Sequence, residues 1–509
     1  VLNDMALINL EGRGLLGKVG VDARIFRALG NSGISVSIIS QGSSERGIGL
    51  VVSLKEAQKA VKALQFEFES DYQNQDVNNI DIIDEVSVIS IVGQDLSSFH
   101  KPYSELIKNG IVPLLFNNTV TGKNVSVVVR KNQLHKALNV MHGEIFGISK
   151  KINIAIFGKG TVGGTLIDQI LASAKSIEER KSIKLNIFAI ANSKSVLLNR
   201  DGATENWATD LENVTQLGGV DEAIAFAKAN HLANLVAVDN TASSAFIENY
   251  TKLAKNGFDL VSSNKIANTV GFDFYQNLRD VLEKNQKQYL YETNVGAGLP
   301  LIDTIRLLHL SGDNITRIKG VFSGSLSYLF NTFSVNDKAF SDVLQEAIDA
   351  GFTEPDPRED LSGNDVGRKL LILARELDLH KEFSDVEIEN LIPEQFRESE
   401  KSHFLNNLKD LDSIFAERKK QLKPGQVLRY VGDLYGDLSQ DDGGKLEVKL
   451  VAVSQDSALG QVKGSDSIFE IYTESYGENP LVIQGAGAGA AVTARGVFGD
   501  ILKLAERNI

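Results

Sequence analysis

No cysteine occurs among the 509 residues. That excludes disulfides, thiolate zinc sites, iron–sulfur clusters and every thiol nucleophile. Histidine is scarce: seven, at positions 100, 135, 142, 231, 309, 380 and 403, with no HxH or HxxxH pair to grip a metal. No apolar run approaches the roughly 20 residues needed to cross a bilayer. Basic excess is missing too. Lys+Arg number 53 against 66 Asp+Glu, for a formal charge of −13. That balance disfavours nucleic acid and anionic membranes as partners. The chain opens on Val1 with neither a basic segment nor an apolar signal region after it. The expectation is a piece of a longer polypeptide, resident in the cytoplasm.

What is present is ordinary globular material, 42% hydrophobic and 23% charged, enough for several cores. The first 150 residues repeat. Ile34, Val51, Val52, Ala60 and Leu64 match Ile111, Val128, Val129, Ala137 and Met141 at a shift of 77 positions (34 to 111). Met5–Gly12 matches Val86–Gly93 at a shift of 81 (5 to 86). Apolar alternation and helical spacing predict strand, helix, strand, strand, helix in each copy: 5–11, 20–31, 34–40, 47–53 and 54–69 in the first. Turns at Gly42–Gly47 and Thr119–Asn124 close the hairpins. The expectation is a pair of ferredoxin-like units, 1–80 and 81–148. They serve either for assembly or for binding an effector. Gln41 and Asn117, each ending the second strand of its copy, are the candidate effector-binding side chains, with hairpin capping as the alternative.

After a break at 147–151 the pattern changes. Ile152–Phe157 reads as a buried parallel strand, followed by Gly158-Lys159-Gly160-Thr161-Val162-Gly163 and an amphipathic helix. Glycines in that spacing, between strand and helix, allow a tight turn and bring helix N–H groups onto a pyrophosphate. Further strands at 185–191, 235–239, 259–262 and 289–292 predict a doubly wound sheet over 150–300. The second strand ends in Ala191-Asn192-Ser193-Lys194, without the acid that holds a ribose 2′-OH. Asn192 and Lys194 therefore favour a 2′-phosphate, unless Lys194 is only a solvated charge. Asn240, Thr241 and Lys265 stand at the ends of later strands, where ligands of such sheets sit.

From 301 to 478 the pattern is mixed α+β, and 479–509 is glycine-rich, then helical. The densest polar stretch is Gly351–Asp365, leading into the helix Val366–Ala374. Asp365 and Lys369 are four apart and share a face. They form either a surface ion pair or a lysine held by a carboxylate, able to move a proton.

Residues 151–509 resemble the homoserine dehydrogenases. The motifs are the glycine loop, Asp239-Asn240-Thr241-Ala242-Ser243, Asn264-Lys265, Glu292–Pro300, Thr353-Glu354-Pro355-Asp356-Pro357, Asp365-Val366-Gly367-Arg368-Lys369 and Gly485–Gly489. Residues 1–150, with Gln41-Gly42-Ser43-Ser44-Glu45, resemble the tandem ACT regulatory domains that precede this enzyme in bifunctional aspartokinase/homoserine dehydrogenases. The resemblance implies several things. The fold is α/β and α+β multidomain: tandem ferredoxin-like ACT domains, a Rossmann-type domain, and a mixed substrate/dimerisation domain whose C-terminal segment returns to the Rossmann domain. The reaction is reversible oxidation of L-homoserine to L-aspartate 4-semialdehyde. NADP(H) is preferred, with NAD(H) as the second cofactor. Lys369 moves the proton beside Asp365, and Lys265 faces the reacting oxygen. Glu354, Asp360 and Asp365 hold the substrate. Thr241, Gly351 and Gly489 touch NADP. Glu292, Val295, Ala297 and Leu299 form a Na⁺ site, largely from backbone carbonyls. Threonine is the implied effector, the assembly a homo-oligomer (dimer or tetramer), and no aspartate kinase activity is expected of residues 1–509. Two other readings stay open: a non-catalytic amino-acid sensor, and an ACT-containing 2-hydroxyacid dehydrogenase. The second lacks a suitable histidine here.

Overall fold

The computed structural model describes residues 1–16, 18–42, 47–92, 100–119, 124–146, 149–215 and 217–506. The hairpin turns at 43–46 and 120–123, Gly93, the 147–148 break and the last three residues lie outside that set. So do Ser43, Ser44 and Glu45 of the ACT-like stretch. Among the described residues no helix is long and apolar enough to cross a membrane. The chain divides into two compact units, 1–150 with 227–234, and 151–226 with 235–509.

The first unit holds one antiparallel sheet in the order β2-β3-β1-β4-β6-β5. Its strands are β1 (Leu2–Glu11), β2 (Ile38–Gln41), β3 (Gly47–Ser53), β4 (Asn79–Val92), β5 (Leu115–Asn118) and β6 (Asn124–Arg130). The two copies share this sheet instead of forming separate sandwiches. β4 runs straight across the expected 80/81 boundary, pairing with β1 through its first half and β6 through its second. In the β1–β4 ladder Met5 stands opposite Val86, its own repeat mate, which puts a local two-fold axis there. Asp4 and Glu85, the residues just before, both take left-handed backbone (φ +53°) at matching irregularities. Each copy keeps its own core. Ile8, Leu10, Ile25, Leu50 and Leu64 pack in the first, Ile89, Leu106, Val127 and Ala137 in the second.

The second unit contains two sheets. The first, β12-β11-β10-β7-β8-β9, comprises β7 (Lys150–Phe157), β8 (Ile183–Ala191), β9 (Val196–Leu198), β10 (Leu235–Asp239), β11 (Phe258–Ser262) and β12 (Tyr289–Leu290). β7, β10, β11 and β12 run parallel, and β9 adds an unforeseen antiparallel edge. β7 and β10 are buried almost throughout, as strands in the middle of a helix-covered parallel sheet are. On the face lined by Ile152, Ile154 and Ile156 the cover is the helix Thr161–Lys181 together with a helix from the other end of the chain, Ala490–Glu506. Val497, Phe498, Ile501 and Leu504 of that last helix are buried among Ile154, Ile156, Leu166 and Ile170.

The other sheet, β14-β16-β15-β13-β17-β18, comprises β13 (Ile315–Val321), β14 (Val386–Ile388), β15 (Gln426–Tyr435), β16 (Lys445–Ser454), β17 (Asp466–Thr473) and β18 (Leu481–Ala486). β18 lies inside the segment expected to return to the dinucleotide domain. Its main-chain bonds go to β17 instead, and only the helix beyond it makes the return.

Because Phe498 is 2% exposed in the core of the dinucleotide sheet, Phe498→Ala is expected to cost about 3–5 kcal/mol. Denaturant unfolding measures it; a loss below about 1 kcal/mol would place the terminal helix outside that core.

Candidate active site

The dinucleotide sheet reverses its winding between β7 and β10, and ligands of such sheets sit beyond the strand ends at that switch point. Three glycines there do different work. Gly158 has φ +91°, and a Cβ on it would lie 2.8 Å from the carbonyl of Asn240. A Cβ on Gly163 would lie 1.9 Å from the Gly158 carbonyl oxygen. A Cβ on Gly160 would meet nothing within 4 Å. Packing demands the first and third; the second leaves open the approach to the N-terminus of helix Thr161–Lys181, whose N–H groups and dipole suit a pyrophosphate. Lys159 is half-buried, 4.0 Å from the Glu212 carboxylate. The Thr161 carbonyl accepts from the Thr165 hydroxyl, and Val162 packs on the domain core.

Asn192 accepts the backbone N–H groups of Lys194 (2.7 Å) and Ser195 (2.8 Å) through Oδ1, and so builds the turn after β8; the Lys194 side chain is exposed on it. Asn240 accepts from the Ser263 hydroxyl (2.8 Å), while its Nδ2 is buried without a partner among the described residues. Thr241 donates its N–H to Asp239 (2.8 Å). The other Asp239 oxygen accepts from Tyr250 (2.7 Å) and Asn264 (3.1 Å). Burial raises the Asp239 carboxyl, and these bonds oppose the rise. Sequence reasoning missed this hub; its one signal was an acid ending an otherwise apolar strand.

Beyond β11 lies a cavity of about 810 Å³. Lys265, Gly351, Glu354, Asp360, Asp365, Lys369 and Gly489 all line it, so residues picked from three separate stretches meet in one place. Asp365 is at its centre. One carboxylate oxygen takes Lys369 Nζ at 2.8 Å, the other takes Lys265 Nζ. Lys369 also donates to the Phe322 carbonyl (2.8 Å). Burial would raise the Asp365 carboxyl, but the two ammonium groups outweigh it and hold the carboxyl well below the usual range. Burial lowers Lys369, with Asp365 offsetting part of that. Asp360 accepts from the Ser325 hydroxyl (2.7 Å) and the Glu354 N–H (2.8 Å). Burial raises both Asp360 and Glu354, with Asp365 and Glu359 adding to it. Gly351 and Gly489 take φ of +70° and +119°, and each faces open space.

Asp365 has both oxygens committed to lysines; Glu354, Glu359 and Asp360 are the other acids on the cavity wall. Sequence reasoning missed Ser323, Ser325, Arg368 and Ser465 on the cavity wall. Ser323 was signalled only as a helix cap, its Oγ accepting from the Leu326 N–H.

The expected cation-binding segment makes a tight turn, with Gly296 at φ +79° and Ala297 at +51°. The Glu292 carboxylate is buried and accepts the N–H groups of Ile302 (2.7 Å) and Asp303 (3.0 Å). It is therefore a helix cap, and only its carbonyl is left for a cation. Among the described residues no cluster of acids and histidines could hold a metal ion.

Gln41 and Asn117 are not equivalent. Gln41 faces Ile48, whereas Asn118 faces Val125, the mate of Ile48 (48 + 77 = 125). The structural mate of Gln41 is Asn118, and a one-residue slip turns a strand side chain to the opposite face. Asn117 Nδ2 donates to the Ile39 carbonyl (2.9 Å), joining the two edge strands.

Glycine loop, switch-point crevice and lysine-bearing cavity define a dinucleotide-binding protein of the dehydrogenase kind. The chain belongs to the homoserine dehydrogenase family. Residues 158–292 match the homoserine dehydrogenase NAD-binding domain, residues 300–502 the homoserine dehydrogenase domain, and residues 8–68 an ACT domain. The bifunctional aspartokinase/homoserine dehydrogenase of Haemophilus influenzae is 38% identical over 509 residues, 99% of this chain and 61% of that protein. The chain thus corresponds to the C-terminal portion of such relatives. A Candida auris protein of unknown function, 34% identical, has a crystal structure that matches with a TM-score of 0.63 over 70% of this chain and 99% of its own. A hyperthermophilic archaeal homoserine dehydrogenase, solved in complex with NADPH, shares the fold at 24% identity and a TM-score of 0.53.

The glycine geometry separates two effects. Gly160→Ala is expected to leave the melting temperature unchanged and weaken dinucleotide binding by about tenfold or more, roughly 1.4 kcal/mol. Gly163→Ala is expected to lower the melting temperature itself. Thermal unfolding with a fluorescence titration of NADPH checks both, and the reverse pattern would refute the assignment.

Proposed function

We propose that the protein interconverts L-homoserine and L-aspartate 4-semialdehyde with a nicotinamide dinucleotide. The observation that carries this reading is Asp365 held between Lys265 and Lys369 in a cavity that also presents Glu354 and Asp360. A bound dinucleotide supplies the hydride acceptor. Gly160, the helix it opens and the unpartnered Asn240 amide fit that group. Glu354 and Asp360 hold the substrate ammonium. The buried Lys369, whose proton affinity burial reduces, takes the hydroxyl proton as the alcohol becomes a carbonyl. Lys265 stabilises the negative charge that develops on the same oxygen. Thr241, Gly351 and Gly489 would contact the dinucleotide.

NADP(H) is the preferred cofactor, with Lys194 meeting the 2′-phosphate; the absence of an acid at the end of β8 supports this. The carbonyls of Glu292, Val295, Ala297 and Leu299 hold a Na⁺ ion. The buried, unpartnered Thr293 hydroxyl and the two left-handed residues in that turn support this reading. The ACT unit binds an amino-acid effector, L-threonine.

Homoserine oxidation followed across pH tests the core of this. Activity requires neutral Lys369. Its lowered proton affinity puts the rise of kcat/KM with pH below the ordinary lysine value of about 10.4. Lys369→Ala is expected to lose about 10²–10⁴-fold and the pH step with it. Asp365→Asn removes the negative charge that favours the ammonium, so the step moves to lower pH. A flat pH profile, or more than half the activity in Lys369→Ala, would refute the assignment.

Cofactor choice has its own test. Lys194→Ala is expected to raise KM for NADP⁺ and leave KM for NAD⁺ unchanged. Equal effects on both would remove Lys194 from phosphate recognition.

A further inference from the structure

A second cavity, of about 870 Å³, opens on the other sheet of the same unit. Its wall includes Arg429 of β15, and that arginine is unusual. It is 3% exposed, yet among the described residues no carboxylate pairs with it. Three backbone carbonyls hold its guanidinium: Leu459 to Nε at 3.0 Å, Leu428 to Nη1 at 2.7 Å and Gly460 to Nη2 at 2.7 Å. A guanidinium has five N–H bonds, so two are left over in a fixed plane. Neutral carbonyls orient the cation without cancelling its charge. A buried, uncompensated cation is costly to fold around, and an anion delivered from solution relieves that cost.

The rest of the wall suits a small oxyanion. Asn336, Gln455, Gln461 and Gln484 bring amides, and Lys463 brings a second positive charge at the rim; the Asn331 amide N–H groups are spent on Ser327 and Gly464. Asp456, exposed, is the only acid on the wall. Burial alone lowers Arg429, to about 10, and no neighbouring charge contributes. It therefore stays protonated at neutral pH.

We propose that this cavity binds a small oxyanion, a carboxylate or phosphate group, on the open edge of Arg429. The site is separate from the lysine-bearing cavity but shares its framework. The helix Gly324–Val335 lines the lysine cavity at its start, through Gly324 and Ser325, and this cavity at its end, through Asn331, Thr332 and Val335. Gly464 lines one and Ser465 the other. Asn331 Nδ2 donates to the Gly464 carbonyl at 2.9 Å, tying helix to loop.

Calorimetric titration of the full 509-residue protein with inorganic phosphate and with succinate tests this and separates the two anion types. Saturable binding of either is expected. It should weaken at least tenfold in Arg429→Met and severalfold in Lys463→Glu, an exposed change that leaves the fold alone, and persist in Lys369→Met. Because phosphate also suits the glycine loop, Gly160→Ala is a further control and should retain the binding. No saturable heat from either probe would overturn the proposal. So would binding that survives both Arg429→Met and Lys463→Glu, or that vanishes with Lys369→Met or Gly160→Ala.

Discussion

Asp365 holds two lysines that reach it from different parts of the unit: Lys265 from the loop after a dinucleotide-sheet strand, Lys369 from its own helix. Two ammonium groups this close repel each other strongly at low effective dielectric. Without the carboxylate they would not share one small cavity. The pair fixes the position of the substrate domain's helix against the rim of the dinucleotide crevice, and the geometry of the whole site depends on that placement. A single proton shift at Lys369 then changes the charge of a triad, not of an isolated side chain.

The same helix, Asn364–Arg375, is fastened at its far end to the same loop. Arg375 donates to the carbonyls of Asn268 (3.0 Å) and Val270 (2.8 Å), a few residues beyond Lys265. Next to it the buried Glu376 accepts from Arg306 (2.6 Å) and from Tyr291. Arg279 lies 3.3 Å over the Tyr275 ring and donates to Asn268 and Tyr291 (2.9 Å each). Helix and loop are thus clamped at both ends by charge-assisted bonds, which are stronger and more directional than neutral ones. Such a clamp limits the freedom of the two lysines and so preorganises the cavity.

How far the site could be read from the sequence depended on how local its signals were. The glycine loop is local, because strand, turn and helix follow within twenty residues, and each glycine's spacing has its own steric reason. The Asp365–Lys369 pair is local too, being one helical turn. The third member, Lys265, is 100 residues away, and only its place at a strand end, together with family resemblance, brought it into view. Ser325 and Ser465 have no local signal, since each reaches the cavity through tertiary packing alone, whereas Arg368 lies within one turn of Asp365 on the same helix. In the first unit the repeat and the tendency of such sheets to pair side by side were plain, but the continuous strand through which both copies share one sheet was not. That depends on β4 running 14 residues without a break, and alternation does not reveal where one repeat stops pairing and the next begins. The mispairing of Gln41 with Asn117 has the same origin, since a shift of 76 instead of 77 is invisible until the ladder is counted.

Charge explains why an acidic chain builds this cavity. Its wall carries Glu354, Glu359, Asp360 and Asp365 against Lys265, Arg368 and Lys369. Asp365 is neutralised from both sides, so the bases are left with a net positive field at their end. Glu354 and Asp360 crowd each other on the same wall, and both are raised by burial and by their acidic neighbours. An ammonium entering between them removes that repulsion. One cavity thereby presents both signs of charge, and a zwitterion entering it would be oriented by the field before any single hydrogen bond is made.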